Sequence, residues 1–349
     1  MRLKVAFWIS TISVVVAGGP QETPSAALSG VVAALLADGR ISLMDVATGQ
    51  QLAEYVAAPQ PRDALTDGRL ARATSGDEVF AVLPDHDGRV VVGLNVRTLR
   101  GRTIGRLPSD TYRGLAVGSR TGRVFAFRSA GPTVEVLDAN TGEHHTLFTF
   151  QTDRDVSSGA VSVDERRIYV AYHGRGTGID WFDLKDQGWQ HGAYVASHGD
   201  FAVIGNVLLA ATGGPAILEV NDTGQVVRSL NTALVGVHLM EFALDPERRI
   251  IYAAGDCMHV GGGGFTATPW PQFGELPARV LAPLRAFTVC GSRISLAPAG
   301  TWVAVVRTVE NDVPRASRAG TVLIVDAGTG MVRQRLVTSS DVLDVLAIR

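Results

Sequence analysis

Short apolar runs recur along the chain, separated by polar segments rich in glycine. Large apolar side chains sit centrally in these runs at Phe80 (VFAVL), Phe125 (RVFAF), Tyr169 (RIYVAY), Leu209 (VLLAAT), Tyr252 (IIYAAG) and Trp302 (WVAVV), at successive steps of 45, 44, 40, 43 and 50 residues. The run VVAALLA at residues 31–37 is an equivalent first member, which makes seven units. A turn sequence provides an independent ruler: DVATG (45–49), DANTG (138–142), NDTG (221–224) and DAGTG (326–330). Their threonines are 93, 82 and 106 residues apart, so these turns mark alternate units of the same period. Internal repetition at 40 to 50 residues points to a repeat architecture before any motif is considered.

Each unit resolves into four strand-like runs bounded by turn residues, as in the last one: 293–297, 302–308, 321–326 and 331–337. The run TVLIVD (321–326) is almost wholly aliphatic or β-branched, which suits a strand covered on both faces. Apart from the N-terminal segment, the only helix candidate, no window of 11 to 18 residues keeps a helical apolar stripe free of Gly or Pro. These features predict an all-β, seven-bladed β-propeller of four-stranded antiparallel blades over residues 29–349. The first unit has three strands, 31–37, 41–46 and 51–56, and lacks its innermost one. The C-terminal DVLDVLAIR supplies it, so 342–348 should pair beside 31–37 and close the ring, removing two open sheet edges.

The units resemble the YVTN-type repeats of seven-bladed propellers, related to the YncE-like and WD40-like groups. In them a strand such as RIYVAYHG is followed by a strand ending in Asp-Ala-x-Thr-Gly and then one like MVRQRLVT. The resemblance covers residues 30–349. Blades two, four and six depart from the Asp-x-x-Thr-Gly turn, and the Gly-His and Trp-Asp pairs of ordinary WD40 blades are missing. The resemblance implies the fold and leaves open a choice among bacterial exported binding proteins, lactonase-like enzymes and quinoprotein dehydrogenase subunits.

The N-terminus reads differently. Arg2 and Lys4 precede an apolar run from Val5 to Ala17, followed by small residues and Pro20. Thirteen residues is short of the ~20 that span a bilayer, so residues 1–28 are expected to be an export signal or short tether. Export would place the protein outside the cell or in the cell envelope, touching a membrane only through an uncleaved N-terminal segment. The 349 residues are 46% hydrophobic and 19% charged, with a formal net charge of -2, which excludes a disordered chain and offers no field for nucleic acid.

Labelling the strands A to D from the axis outward, the B-to-C and D-to-A connections share one face. His86, His173, His198, His238 and His259 all map to it. Imidazoles on converging loops are metal-ligand candidates, first His238 with His259 and Asp256 as an outer carboxylate, then His173 and His198. The alternative is polar loop residues scattered around the rim, since no HxH or HExxH spacing fixes two ligands together. Cys257 and Cys290 map to the same face of adjacent blades, and in an exported chain they are expected to form a disulfide. Between them, 261–286 reads as an irregular excursion whose Trp270 and Phe273 either form a partner-binding loop or fold back on the blade. Among the innermost runs of the units (GLAVG, GAVSV, DFAVI, MEFAL and RISLA), only Glu241 and Asp200 are acidic, against a dense calcium cage. Gly174, Gly176 and Gly178 lead into a strand instead of a helix, so they are no phosphate loop, and no GxSxG elbow occurs. The resulting expectation is a monomeric, noncatalytic scaffold that needs no cofactor and presents its loop face to a protein or small ligand. The alternative is a lactonase-like or quinoprotein-dehydrogenase-like enzyme using a His-lined face.

Overall fold

The computed structural model describes residues 29–57, 65, 68–73, 76–129, 133–149, 155–173, 178–186, 188–194, 201–204, 207–211, 216–221, 223–231, 238–256, 264–270, 291–307 and 319–348. They form seven antiparallel sheets. Blade one holds β1 (Val31–Leu36), β2 (Arg40–Asp45) and β3 (Gln51–Val56). Blade two holds β4 (Leu70–Arg72), β5 (Glu78–Asp85), β6 (Gly88–Asn95) and β7 (Arg100–Leu107), and blade three β8 (Tyr112–Val117), β9 (Arg123–Arg128), β10 (Thr133–Asp138) and β11 (His144–Thr149). Blade four holds β12 (Asp155–Val161), β13 (Arg167–His173), β14 (Gly178–Asp183) and β15 (Gly188–Tyr194), and blade five β16 (Phe201–Ile204), β17 (Val207–Ala211), β18 (Ala216–Val220) and β19 (Val226–Asn231). Blade six shows β20 (His238–Asp245), β21 (Ile250–Asp256) and β22 (Gly264–Pro269), and blade seven β23 (Gly291–Leu296), β24 (Trp302–Arg307), β25 (Thr321–Asp326) and β26 (Val332–Val337).

The last strand, β27 (Val342–Ala347), completes blade one. It pairs with β1 through Val32↔Ala347, Ala33↔Leu346, Ala34↔Val345 and Leu35↔Asp344. The ring closes as the strand arithmetic predicts. The chemistry around β27 fastens it further: Ser295 Oγ accepts the Ala347 N–H at 2.9 Å, Arg293 Nε donates to the Leu343 carbonyl at 3.1 Å, and Asp344 accepts the Leu70 N–H at 2.7 Å.

Period-two alternation distributes the core. In β1, Val31, Ala33 and Leu35 join one apolar cluster with blade two, while Val32, Ala34 and Leu36 join another with blade seven. The described residues form seven such clusters, one at each seam between neighbouring blades. Close approach at the axis depends on glycine. A Cβ on Gly159 of β12 would meet the Phe127 ring at 2.2 Å.

The C-to-D turns behave as their composition requires. Asp45 Oδ1 accepts the Thr48 N–H at 2.7 Å and its hydroxyl at 2.8 Å, and Gly49 closes the turn at φ 73°. These bonds hold the Asp45 carboxyl below its ordinary range, and Asp138 is lowered likewise, first by the Thr141 N–H. Blade two, which departs from the sequence pattern, makes the same turn: Asn95 Oδ1 accepts from Thr98 N–H at 2.9 Å and Thr98 Oγ1 at 3.1 Å. Leu99 occupies the glycine position at φ 58°, which an L side chain adopts at a cost. A second departure is in blade six. Residues 264–269, expected to be irregular, are a strand paired along β21 from Gly255↔Gly264 to Ile250↔Pro269. Thr266 and Thr268 are buried within it, and cross-strand pairing outweighs the glycine-rich and proline-rich flanks.

Candidate functional site at the channel axis

The innermost strands β4, β8, β12, β16, β20, β23 and β27 surround a cavity of about 190 Å³ on the axis. Its polar lining is Arg69, Ser158, Glu241, Ser295 and Asp344. Blades two and six stand almost opposite each other, and Arg69, just before β4, reaches across to form an ion pair with Glu241 Oε1 on β20. The same guanidinium lies 3.9 Å from Asp344 Oδ1 on β27. All three side chains are largely buried.

The remaining carboxylate oxygens are engaged as well. Glu241 Oε2 accepts the Ile294 N–H of blade seven at 2.7 Å, and Asp344 Oδ2 accepts the Leu70 N–H of blade two at 2.7 Å. Each acid on the axis therefore ties its own strand to the next blade while facing a shared cation. Burial pushes the Asp344 carboxyl above its ordinary range, against the pull of Arg69 and Arg293. Burying such charges is tolerable when hydrogen bonds satisfy them and an opposite charge is near. Arg72, at the end of β4, also reaches toward β27. Its guanidinium donates to the carbonyls of Ala347 and Ile348 at 3.3 and 3.4 Å.

The predicted metal residues meet partly in register. His238 opens β20, and its Cα pairs with that of Asp256 at the end of β21. His173 ends β13, three blades from the start of blade one, and pairs in register with Asp155. These positions lie at the end of their blades that carries the D-to-A and B-to-C connections, the channel-mouth face. His198, His259, Cys257, Cys290 and Phe273 lie outside the described residues. Among the described residues no three His, Cys, Asp or Glu side chains come together as a metal group.

Trp270 follows β22 and so stands at the opposite end of blade six from His238 and Asp256. It is half-buried against the apolar seam of blades five and six, and its indole N–H points to Glu219 Oε2 at 3.5 Å. Inner-strand acidity was also richer than the runs MEFAL and DFAVI suggested. Asp344 is part of an innermost strand because β27 is, and DVLDVLAIR carried that information once it was assigned to the ring. Arg69 lies just outside a three-residue strand and had no periodic signal to mark it.

The alternating blades, the seven seams and the β27 closure define a closed seven-bladed β-propeller. No protein-family model matches the chain, and no curated protein matches it. Solved structures do. A protein from Lactobacillus plantarum is 13% identical with a TM-score of 0.65, over 92% of this chain and 100% of that one. The WD40 repeats of RRP9 are 12% identical with a TM-score of 0.63, over 82% and 86%. The dihydro-heme d1 dehydrogenase NirN, solved in complex with DHE, is 12% identical with a TM-score of 0.55, over 91% and 75%. At these identities the likeness is one of fold, and it extends to proteins of quite different kinds.

Proposed function

We propose that the protein is an exported, noncatalytic propeller of the YVTN-repeat type, which presents its channel-mouth face to a protein or small ligand. The observation that carries this reading is the state of the axial carboxylates. A cation-centred hydrolase needs acids with lone pairs open to the channel. Glu241 and Asp344 instead face the Arg69 guanidinium, and each accepts a backbone N–H of the next blade, from Ile294 and Leu70. An axis built this way supports a rigid platform, and on such a scaffold binding specificity is carried by the B-to-C and D-to-A loops. Export is supported by the basic start at Arg2 and Lys4 and the apolar run that follows.

The test is elemental analysis and visible absorbance of the protein purified from an exporting host, with the mass of the mature chain. The expected result is no stoichiometric metal, no cofactor band and an N-terminus displaced from Met1. One equivalent of metal that disappears in the His238→Ala, His259→Ala double variant would overturn the noncatalytic reading, and an intact Met1 on the exclusively intracellular protein would overturn export.

A further inference from the structure

On the face opposite the channel mouth, blades three and four leave a cleft of about 400 Å³. It is the lower end of their seam. Its floor is Phe125 and Val136, buried cross-strand partners on β9 and β10, and its walls include Leu147 and Leu184. At the rim stand Arg123, which begins β9, and His145, the cross-strand partner of Val136 on β11.

Comparison with blade seven explains why the space is open. Arg123 pairs with Asp138, the first residue of the C-to-D turn, and Trp302 pairs with Asp326, its counterpart in blade seven. The two residues share one position in the repeat. Trp302 is 1% exposed and fills the seam against blade one, with its indole N–H donating to the Ser29 carbonyl at 3.1 Å. Arg123 is exposed and fills nothing.

The charges of the cleft are unevenly committed. Glu165 accepts from the Arg120 N–H, from the Thr121 N–H at 2.8 Å and from the Thr121 hydroxyl at 2.6 Å. Asp164 accepts from the Ser162 hydroxyl at 2.6 Å and the Arg166 N–H at 3.0 Å. The Arg120 guanidinium turns to the Asp164 carbonyl at 3.4 Å. Among the described residues the Arg123 guanidinium makes no hydrogen bond or ion pair, and it acts on Asp138 through space alone.

We propose that this cleft binds a small monocarboxylate with an aromatic or branched-alkyl tail. The carboxylate would take the planar donor fork of Arg123, and the tail would cover Phe125, Val136, Leu147 and Leu184. A cavity of this size matches the lower part of the range used for small ligands. The nearby acids Asp164 and Glu165 disfavour a dianion such as phosphate. The proposal is independent of the channel-mouth face and stands or falls without it.

The test is calorimetric titration of the full chain with 3-phenylpropionate, 3-phenylpropan-1-ol and 3-phenylpropylamine. The carboxylate is expected to bind at least about tenfold more tightly than the alcohol or amine, and Arg123→Gln to lose about tenfold, the loss of one good polar contact. Arg123→Trp, which copies blade seven, should abolish binding without lowering the thermal midpoint. Arg106→Gln, an exposed arginine of blade two paired with Asp85, should bind as the parent does. Equal affinity for carboxylate and alcohol, full binding by Arg123→Trp, or no saturable binding of the carboxylate up to about 10 mM, the weak limit for a specific small-ligand site, would each overturn the proposal.

Discussion

The seam between blades seven and one and the seam between blades three and four are built on the same strand register, yet one is shut and the other open. At the shut seam Trp302 fills the gap beside Met44, Val46 and Ile324, and the neighbouring β27 adds Val342 and Val345. At the open seam Phe125, Val136 and Ile168 provide the same kind of apolar surface, but the position of Trp302 is held by Arg123. At these two seams the residue opposite the first position of the C-to-D turn differs, a buried Trp302 in one and an exposed Arg123 in the other. The difference at this position can be moved by substitution.

The largest effect should come from removing residues 341–349. That deletes β27, opens both flanks of blade one and strips apolar partners from two seams. The expected outcome is loss of cooperative thermal unfolding, and a truncated chain that melts like the parent would remove the special status of the shut seam. Next, Trp302→Ala should cost about 3–5 kcal/mol in urea unfolding, as large buried aromatics do. Arg123→Ala, at the equivalent but exposed position, should stay within about 0.5 kcal/mol. Equal costs would mean that the register equivalence has no energetic content.

Acid should separate the turn at the open seam from the axis. The backbone N–H groups of Thr141 and Asn140 hold the folded pKa of Asp138 low, so its contribution is present above the ordinary carboxylate range and is lost as pH falls through the folded value. Asp344 is raised by burial, so its contribution is present below the ordinary range and is lost as pH rises through its folded value. Urea midpoints from about pH 7 to about pH 3 should therefore show opposite trends. Relative to Asp138→Asn the parent weakens on acidification, and relative to Asp344→Asn it strengthens. The smallest effect concerns Leu99, which holds a left-handed conformation where other turns have glycine. Leu99→Gly should be neutral to stabilising by about 0.5 kcal/mol, because relief of the backbone strain offsets the greater freedom of glycine in the unfolded chain. A loss of more than that would show that the side chain is packed in the turn.

The fold was legible because its signals repeat. Apolar runs at a period near 45, Asp-x-x-Thr-Gly turns and an orphan C-terminal strand each pointed to the same ring, and a unit with a weak turn was carried by its neighbours. Blade two shows how chemistry can persist under an altered sequence: Asn95 and Thr98 make the bonds of Asp45 and Thr48, and only the glycine is lost. The candidate sites were less legible because nothing in them repeats. Arg69 and Glu241 are 172 residues apart and meet because the ring brings opposite blades to one axis. Arg123 reads as one more surface arginine until its counterpart in blade seven, Trp302, is seen to be buried. Residues 264–269 looked irregular because glycine and proline flank them, whereas the strand itself, FTAT, has ordinary β composition.

Ring closure requires β27 to be an integral strand of blade one, and native-state hydrogen exchange tests this directly. If the ring is closed as described, the amides of Val345 and Ala347 and those of β1 should exchange together, among the slowest in the chain and with the free energy of global unfolding. Exchange of β27 in a separate, much faster event while β1 stays protected would contradict it.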